Sequence, residues 1–204
     1  NGEILSSPLD LPQSVSFDVF IHLFQNYNFP RYFLNSLLAA GVSTIVSLLF
    51  YAMGGYVLAK YKFPGRTLLF TLFTITLLVP AHSKTQPIFN LISDLGLYNN
   101  IWGVTLVYLS TGMAMSIFIL RAGFLSVPKA LDEAAIVDGA GFIRIFWSIN
   151  LPLAKGALST AGILMFLNNW NEYYFASLLT MSDSERTLPI ALSYFTSEFS
   201  YNYT

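Results

Sequence analysis

Four long apolar runs dominate the sequence and leave few folds open to it. They cover about residues 35–59, 67–92, 101–120 and 155–181. A bilayer core about 30 Å thick needs roughly 20 apolar residues in one helix. A soluble core does not account for four such runs, because a globular helix normally keeps a polar face. Backbone polar groups in lipid must be satisfied within the segment, which selects helices over open strands. Only 10% of the 204 residues are charged and 54% are hydrophobic; a typical soluble domain is about 25% charged. The mean hydropathy of +0.58 agrees. The expected fold class is all-α, a polytopic transmembrane helix bundle with about four spans in this chain.

Charge sets the expected orientation. Lys60, Lys62 and Arg66 follow the first run. Arg121, Lys129 and Arg144 follow the third, and Lys155 opens the fourth. Seven of the ten basic residues thus fall on one side; Arg31 and Arg186 fall on the other, with Lys84 near it. By the positive-inside rule the seven-residue side is cytoplasmic. Residues 1–34, with Pro8, Asp10, Pro12 and Asp18, read as an external segment with a short amphipathic piece at 17–24. Residues 35–181 read as the transmembrane domain, including a cytoplasmic loop at 122–152. Residues 182–204 read as a second external, polar segment. No signal-peptide pattern opens the chain, and its start at Asn1 and polar stop at Thr204 suggest a processed or partial chain.

The cytoplasmic loop carries the most specific pattern, EAAIVDGAGFIRIFWSINLP. Glu133, Ala134 and Ala135 are followed after three residues by Gly139, and after nine more by Ile149, Leu151 and Pro152. Ser126, Pro128, Lys129 and Ala130 read as a helix start, since proline is tolerated in a first turn. Ala130, Ala134 and Val137 then share one face at helical spacing, and Leu131 and Ala135 widen it. Asp132 and Glu133 suit the positive end of the helix dipole. Gly139 is expected to end the helix, because it adopts positive φ without steric cost. A second short amphipathic helix is expected over 142–149, with Pro152 marking re-entry into the membrane. A small apolar face of this kind suits a groove in another protein. The competing reading is a loop lying on the membrane surface, but such helices favour basic polar faces.

This segment resembles the coupling loop of permease subunits in binding-protein-dependent ABC importers. Residues 32–37 (YFLNSL), 54–65 (GGYVLAKYKFPG), Pro80, Pro87 and the Trp170-Asn171-Glu172 signature extend the resemblance over nearly the whole chain. They point to the carbohydrate-uptake branch, with maltose-type importers as its example. The resemblance implies a type I importer permease fold and an ATPase-docking role for Glu133, Ala134, Ala135, Asp138, Gly139, Ile149, Leu151 and Pro152. It implies a homologous second permease, a pair of ATPase subunits and an extracytoplasmic sugar-binding protein as partners. It also implies multi-pass residence in the cytoplasmic (inner) membrane of a bacterium or archaeon. No cofactor is expected in this chain; ATP-Mg would sit on the partner ATPase. The family normally has six helices, so its first and last are expected to be missing here.

Asn168, Asn169, Trp170, Asn171 and Glu172 lie roughly 20–25 Å along a helix from Lys155 at about 1.5 Å per residue. Polar groups at that depth are costly and usually face a bundle interior or cavity. Asn168, Trp170, Asn171, Glu172 and Tyr173, with Tyr174, offer the amide, carboxylate and aromatic groups that a sugar needs. The same residues could instead hold the bundle together by interhelical hydrogen bonds. The cluster Pro80, His82, Ser83, Lys84, Thr85 and Gln86 is either path lining or the external end of a helix, the latter favoured. Gly112 and Ser116, and Ala157 and Ala161, have the small-residue spacing that lets helices approach.

Several functions find no support. There is no phosphate-binding GxxxxGK[ST] and no GxGxxG. The net charge of −1 gives no pull toward nucleic acid. His82 and His22 have no metal-ligand spacing. An intramembrane hydrolase using His82 or Glu172 lacks a nucleophile. An amino-acid or peptide-type ABC permease is the nearest alternative, followed by a channel or an ion-coupled secondary transporter with Glu172 as the coupling carboxylate.

Overall fold

The computed structural model describes Phe24 and residues 27–198. Its axis is α1 (Phe29–Lys60), an unbroken helix of 32 residues that opens with a proline in its first turn. A proline there sacrifices no bond, because the first N–H groups of a helix have no intrahelical acceptor. The helix begins six residues before the expected start of the first span. It ends where Tyr61 turns extended, and Gly65, at φ +84°, lets the chain reverse.

Among the described residues α1 is the one helix long and apolar enough to cross a bilayer alone; three bent helix pairs each qualify if taken as one span. Four spans are therefore available, as expected. The first pair joins α2 (Arg66–Ile75) to α3 (Thr85–Asp94). Tight 3₁₀ turns on either side of Pro80 interrupt it, and the two arms lie 98° apart. The second joins α4 (Ile101–Ser110) to α5 (Met113–Ser126) at 49°. After α6 (Lys129–Val137) comes the third pair, α7 (Phe142–Leu153) and α8 (Lys155–Trp170), bent by 78°. Two short helices follow, α9 (Tyr174–Leu179) and α10 (Leu188–Glu198). The stretch read as a polar external segment thus contains a helix; it packs on α1 and buries Ile190 and Ala191.

Each break must place its freed backbone groups somewhere, since lipid offers no partner. At the α4–α5 break Gly112 takes φ +74°. The Leu109 carbonyl, which an unbroken helix would use, instead accepts the Ser47 hydroxyl at 2.7 Å and the Tyr51 hydroxyl at 2.5 Å, both from α1. Gly112 therefore serves the bend, rather than the close packing expected of its spacing with Ser116. The close approaches fall at other glycines. A Cβ at Gly55 of α1 would lie 3.0 Å from the Leu120 Cβ, and one at Gly123 of α5 would overlap the Ala157 Cβ of α8.

Two buried clusters result, both crossed by α1. One holds Tyr56, Leu120, Phe124, Phe146 and Met165; the other holds Ala39, Ile92, Val104, Tyr108 and Leu179. The basic residues sort to opposite ends of α1, as expected. Lys60 donates to the Val127 carbonyl at 2.8 Å, whereas Arg31 donates to the Ser184 carbonyl at 2.8 Å. The piece at 17–24 and His22 fall outside the described residues, apart from Phe24.

Candidate coupling surface and membrane path

Pro128 stands immediately before α6 without a side-chain capping bond, and Lys129 is the first helical residue. Ser126 belongs to the end of α5 instead, its hydroxyl bonded to the Gly123 carbonyl at 2.7 Å. The C-terminus is a Schellman motif. Ala140 N–H donates to the Ala135 carbonyl at 2.8 Å, and Gly139 N–H to the Ile136 carbonyl at 3.0 Å. Both bonds need the left-handed residue between them, and Gly139 supplies it at φ +79°.

Ala130, Glu133, Ala134, Asp138 and Gly139 lie on the exposed side. Ile136 and Val137 are 61% and 87% exposed, and Ile143 just beyond them 69%. Ala135 departs from expectation: it is buried against its own chain, because a helix lying on the bundle must give up one face. Glu133 has no ion-pair partner among the described residues.

The Ile149-Leu151-Pro152 half of the motif does a different job. The expected helix over 142–149 runs on to Leu153, and Pro152 sits inside it. One π turn, Phe146–Asn150, precedes the proline. The sharp bend falls after Pro152, at Ala154. Leu151 packs against the buried cluster around Tyr56, Ile149 is half-buried and Pro152 exposed.

Sequence reasoning missed the residues that fix this loop to the bundle. The Lys60 ammonium lies 3.0 Å from the Asp132 carboxylate, with the two side chains 5% and 16% exposed. The Asn150 amide donates to the other Asp132 oxygen at 2.6 Å, and Asn150 is fully buried. One carboxylate therefore joins α1, α6 and the π turn of α7. Beside it, Tyr56 is ringed by Tyr61, Phe124, Phe142 and Phe146 at centroid distances of 5.1–5.7 Å. A signal was available: Asn150 is a lone amide between two apolar motif residues, and Asp132 precedes Glu133.

At the far end of α8 the expected path residues separate. Asn168, Asn171 and Tyr173 are exposed, with the Asn171 amide bonded to its own helix at Leu167. Trp170 packs between Phe33 and Phe166, at 5.5 and 5.6 Å. Glu172 caps α9, accepting from the N–H groups of Phe175 at 2.8 Å and Ala176 at 3.1 Å, and from the Tyr108 hydroxyl at 3.0 Å. Asn169 is buried and donates to Ser43 of α1 at 3.0 Å. For Glu172 and Asn169 the bundle-holding alternative describes the geometry. The Pro80 cluster is drawn to this region: the His82 ring meets Tyr174 at 4.4 Å, and the Thr85 hydroxyl lies 3.0 Å from the Tyr174 hydroxyl.

Among the described residues the chain is an all-helical bundle of broken helices, with a short helix lying across its basic end and one face of that helix exposed, which is the architecture expected of a membrane permease subunit. The chain belongs to the family described as the binding-protein-dependent transport system inner membrane component, which it matches over residues 51–202. It is 32% identical over 201 residues to the diacetylchitobiose uptake system permease protein NgcG of Streptomyces coelicolor, covering 98% of this chain and 67% of the relative. It is 34% identical to the arabinooligosaccharides transport system permease protein AraQ of Bacillus subtilis, covering 100% of this chain and 73% of that one. A crystal structure of a bacterial ABC transporter involved in the import of the acidic polysaccharide alginate superposes with a TM-score of 0.81 at 27% identity, over 95% of this chain and 67% of that chain. The chain thus spans about two thirds of the length of these relatives. The family resemblance drawn from the sequence, and the type I permease fold it implied, hold.

Proposed function

We propose that this chain is the subunit that carries a di- or oligosaccharide through the inner membrane, paired with a homologous permease. Two ATPase subunits dock on α6 from the cytoplasm and hydrolyse ATP-Mg; this chain catalyses nothing itself. An extracytoplasmic binding protein delivers the sugar. The observation that carries the docking reading is the exposure of Ile136 and Val137 at the end of a capped helix. Contiguous exposed apolar surface marks interaction sites, and the exposed Ala130, Ala134 and Val137, four and three residues apart, give the spacing of a helix face that fits a groove. The carbohydrate reading is supported by relatives named for diacetylchitobiose, starch degradation products and arabinooligosaccharides. Glu133, Ala134, Asp138 and Gly139 form the docking side. Ala135, Ile149, Leu151 and Pro152 shape and seat it. Asn168, Trp170, Asn171 and Tyr173 line the sugar path, while Glu172 holds its wall.

The test is co-purification of the tagged protein in mild detergent, with mass spectrometry of the eluate and binding assays on the associated extracytoplasmic protein. An ATPase and a second permease in the eluate, with an oligosaccharide as the ligand of the binding protein, are expected. A homo-oligomer with no ATPase would overturn the docking reading; an amino acid as the ligand would overturn the sugar.

A further inference from the structure

We infer that Asp132 is a positioning residue that makes α6 move as one body with α1. This rests on the docking reading of α6. Three observations converge. Both oxygens of the Asp132 carboxylate are engaged, one by the Lys60 ammonium at 3.0 Å and one by the Asn150 amide at 2.6 Å. The same ammonium donates to the Val127 carbonyl at 2.8 Å, in the two-residue link between α5 and α6. Lys60 is the last residue of α1. A displacement of α6 is thereby delivered to the end of the longest helix in the bundle, rather than absorbed in the loops on either side.

Burial is what makes this a rigid joint. An exposed ion pair exchanges with water and adds little. Here the Lys60 side chain is 5% exposed and the Asp132 side chain 16%. Separating the pair would leave an uncompensated buried charge, so α6 cannot slide off α1 without a large cost. The turn that follows α6 makes no such contact with α1: the Schellman bonds at Gly139 and Ala140 close back on α6 itself, so Asp132 and the Val127 link carry the tie to α1.

The experiment uses the assembled transporter in proteoliposomes with two variants, D132N and the pair K60M/D132L. The pair removes both charges, so it leaves none unpaired and provides the readout should D132N fail to assemble. Transport per ATP hydrolysed and ATPase rate are measured together. Spin labels at Met53→Cys, exposed on α1, and Lys129→Cys, the first residue of α6, report the α1–α6 distance; this chain has no cysteine of its own. ATPase binding and rate within twofold of the unsubstituted protein are expected, with transport per ATP reduced at least tenfold. The label distance is expected to hold constant through the ATP cycle and to broaden in the variants. A destabilised but still coupled protein would keep the transport-to-ATP ratio, and that result overturns the proposal. Absence of bound ATPase in the unsubstituted protein overturns the docking reading instead.

Discussion

Substitution of Gly139 separates the backbone demand of the loop from the sterics of docking. The residue sits at φ +79°, where an L side chain costs about 1–2 kcal/mol and asparagine is better tolerated than most. A Cβ there meets nothing within 4 Å, so the subunit itself adds no steric cost. Gly139→Ala should therefore weaken the helix end by about 1 kcal/mol, roughly a fivefold change in the population of the native turn. Gly139→Pro is different in kind. It fixes φ near −65° and removes the N–H that donates to Ile136, for about 3 kcal/mol or more, over a hundredfold. The assay is transport per ATP hydrolysed in proteoliposomes, with hydrogen exchange at the Ala140 amide as the local readout. The expected order for both is glycine, asparagine, alanine, then proline far below, with the proline variant still inserted but uncoupled. An alanine variant as dead as proline, with its Ala140 amide still protected, would refute the backbone argument. The glycine would then be needed for contact with the partner. Full uptake by the proline variant would remove the loop from the mechanism.

Other positions give equally specific outcomes. Gly123→Val forces a three-carbon side chain against Ala157 and should lower the unfolding temperature in detergent by the equivalent of about 1–3 kcal/mol or more; Gly54→Ala, inside α1 with open space around it, should not lower it. The pair Ser47→Ala/Tyr51→Phe leaves the Leu109 carbonyl unpartnered and should destabilise by about 1–3 kcal/mol, measured the same way. Glu172→Gln weakens the cap of α9 by about 0.5–2 kcal/mol and should leave ATP-driven uptake intact. Uptake that becomes independent of a proton gradient only in this variant would revive the ion-coupled reading.

The bundle was legible because lipid enforces a simple rule: apolar runs become helices. The breaks were not. Gly112 looked like a packing residue because its spacing to Ser116 is that of a close helix contact, yet its positive φ bends the span. Only the hydroxyls of Ser47 and Tyr51, about sixty residues earlier in sequence, make that bend affordable in lipid. Gly139 was readable because its demand is local to one turn. Ala135 was misplaced on the docking face because helical periodicity says which residues share a side but not which side meets the bundle. The Lys60–Asp132–Asn150 joint was hidden for the same reason, since its members come from three elements and each reads alone as an ordinary polar residue. The path residues mixed two roles that sequence cannot part: Glu172 and Asn169 spend their polar groups inside the bundle, while Asn168 and Tyr173 present theirs outward.

The contrast between one straight helix and three broken pairs bears on how such a subunit could transmit force. At about 1.5 Å per residue, the 32 residues of α1 reach roughly 48 Å, well beyond a hydrocarbon core of about 30 Å. Both ends are anchored to loops rather than frayed. At one end Lys60 holds Asp132. At the other, Arg31 and Asn35 bond the carbonyls of Ser184 and Arg186, and Tyr32 bonds the Asp183 carboxylate at 2.7 Å. A helix pinned at both ends is a shaft: it can tilt or translate, but it cannot easily bend, because no glycine turn, proline or π turn interrupts it. The broken pairs around it bend at Pro80, Gly112 and Ala154. Movement of α6 would therefore tilt α1, and the tilt would appear at the 183–186 loop with little loss, while the bent spans rearrange around it. On the proposed docking reading, the coupling surface and the opposite face would communicate through one rigid element, and rearrangement at the bends would let the path change shape without unfolding any helix.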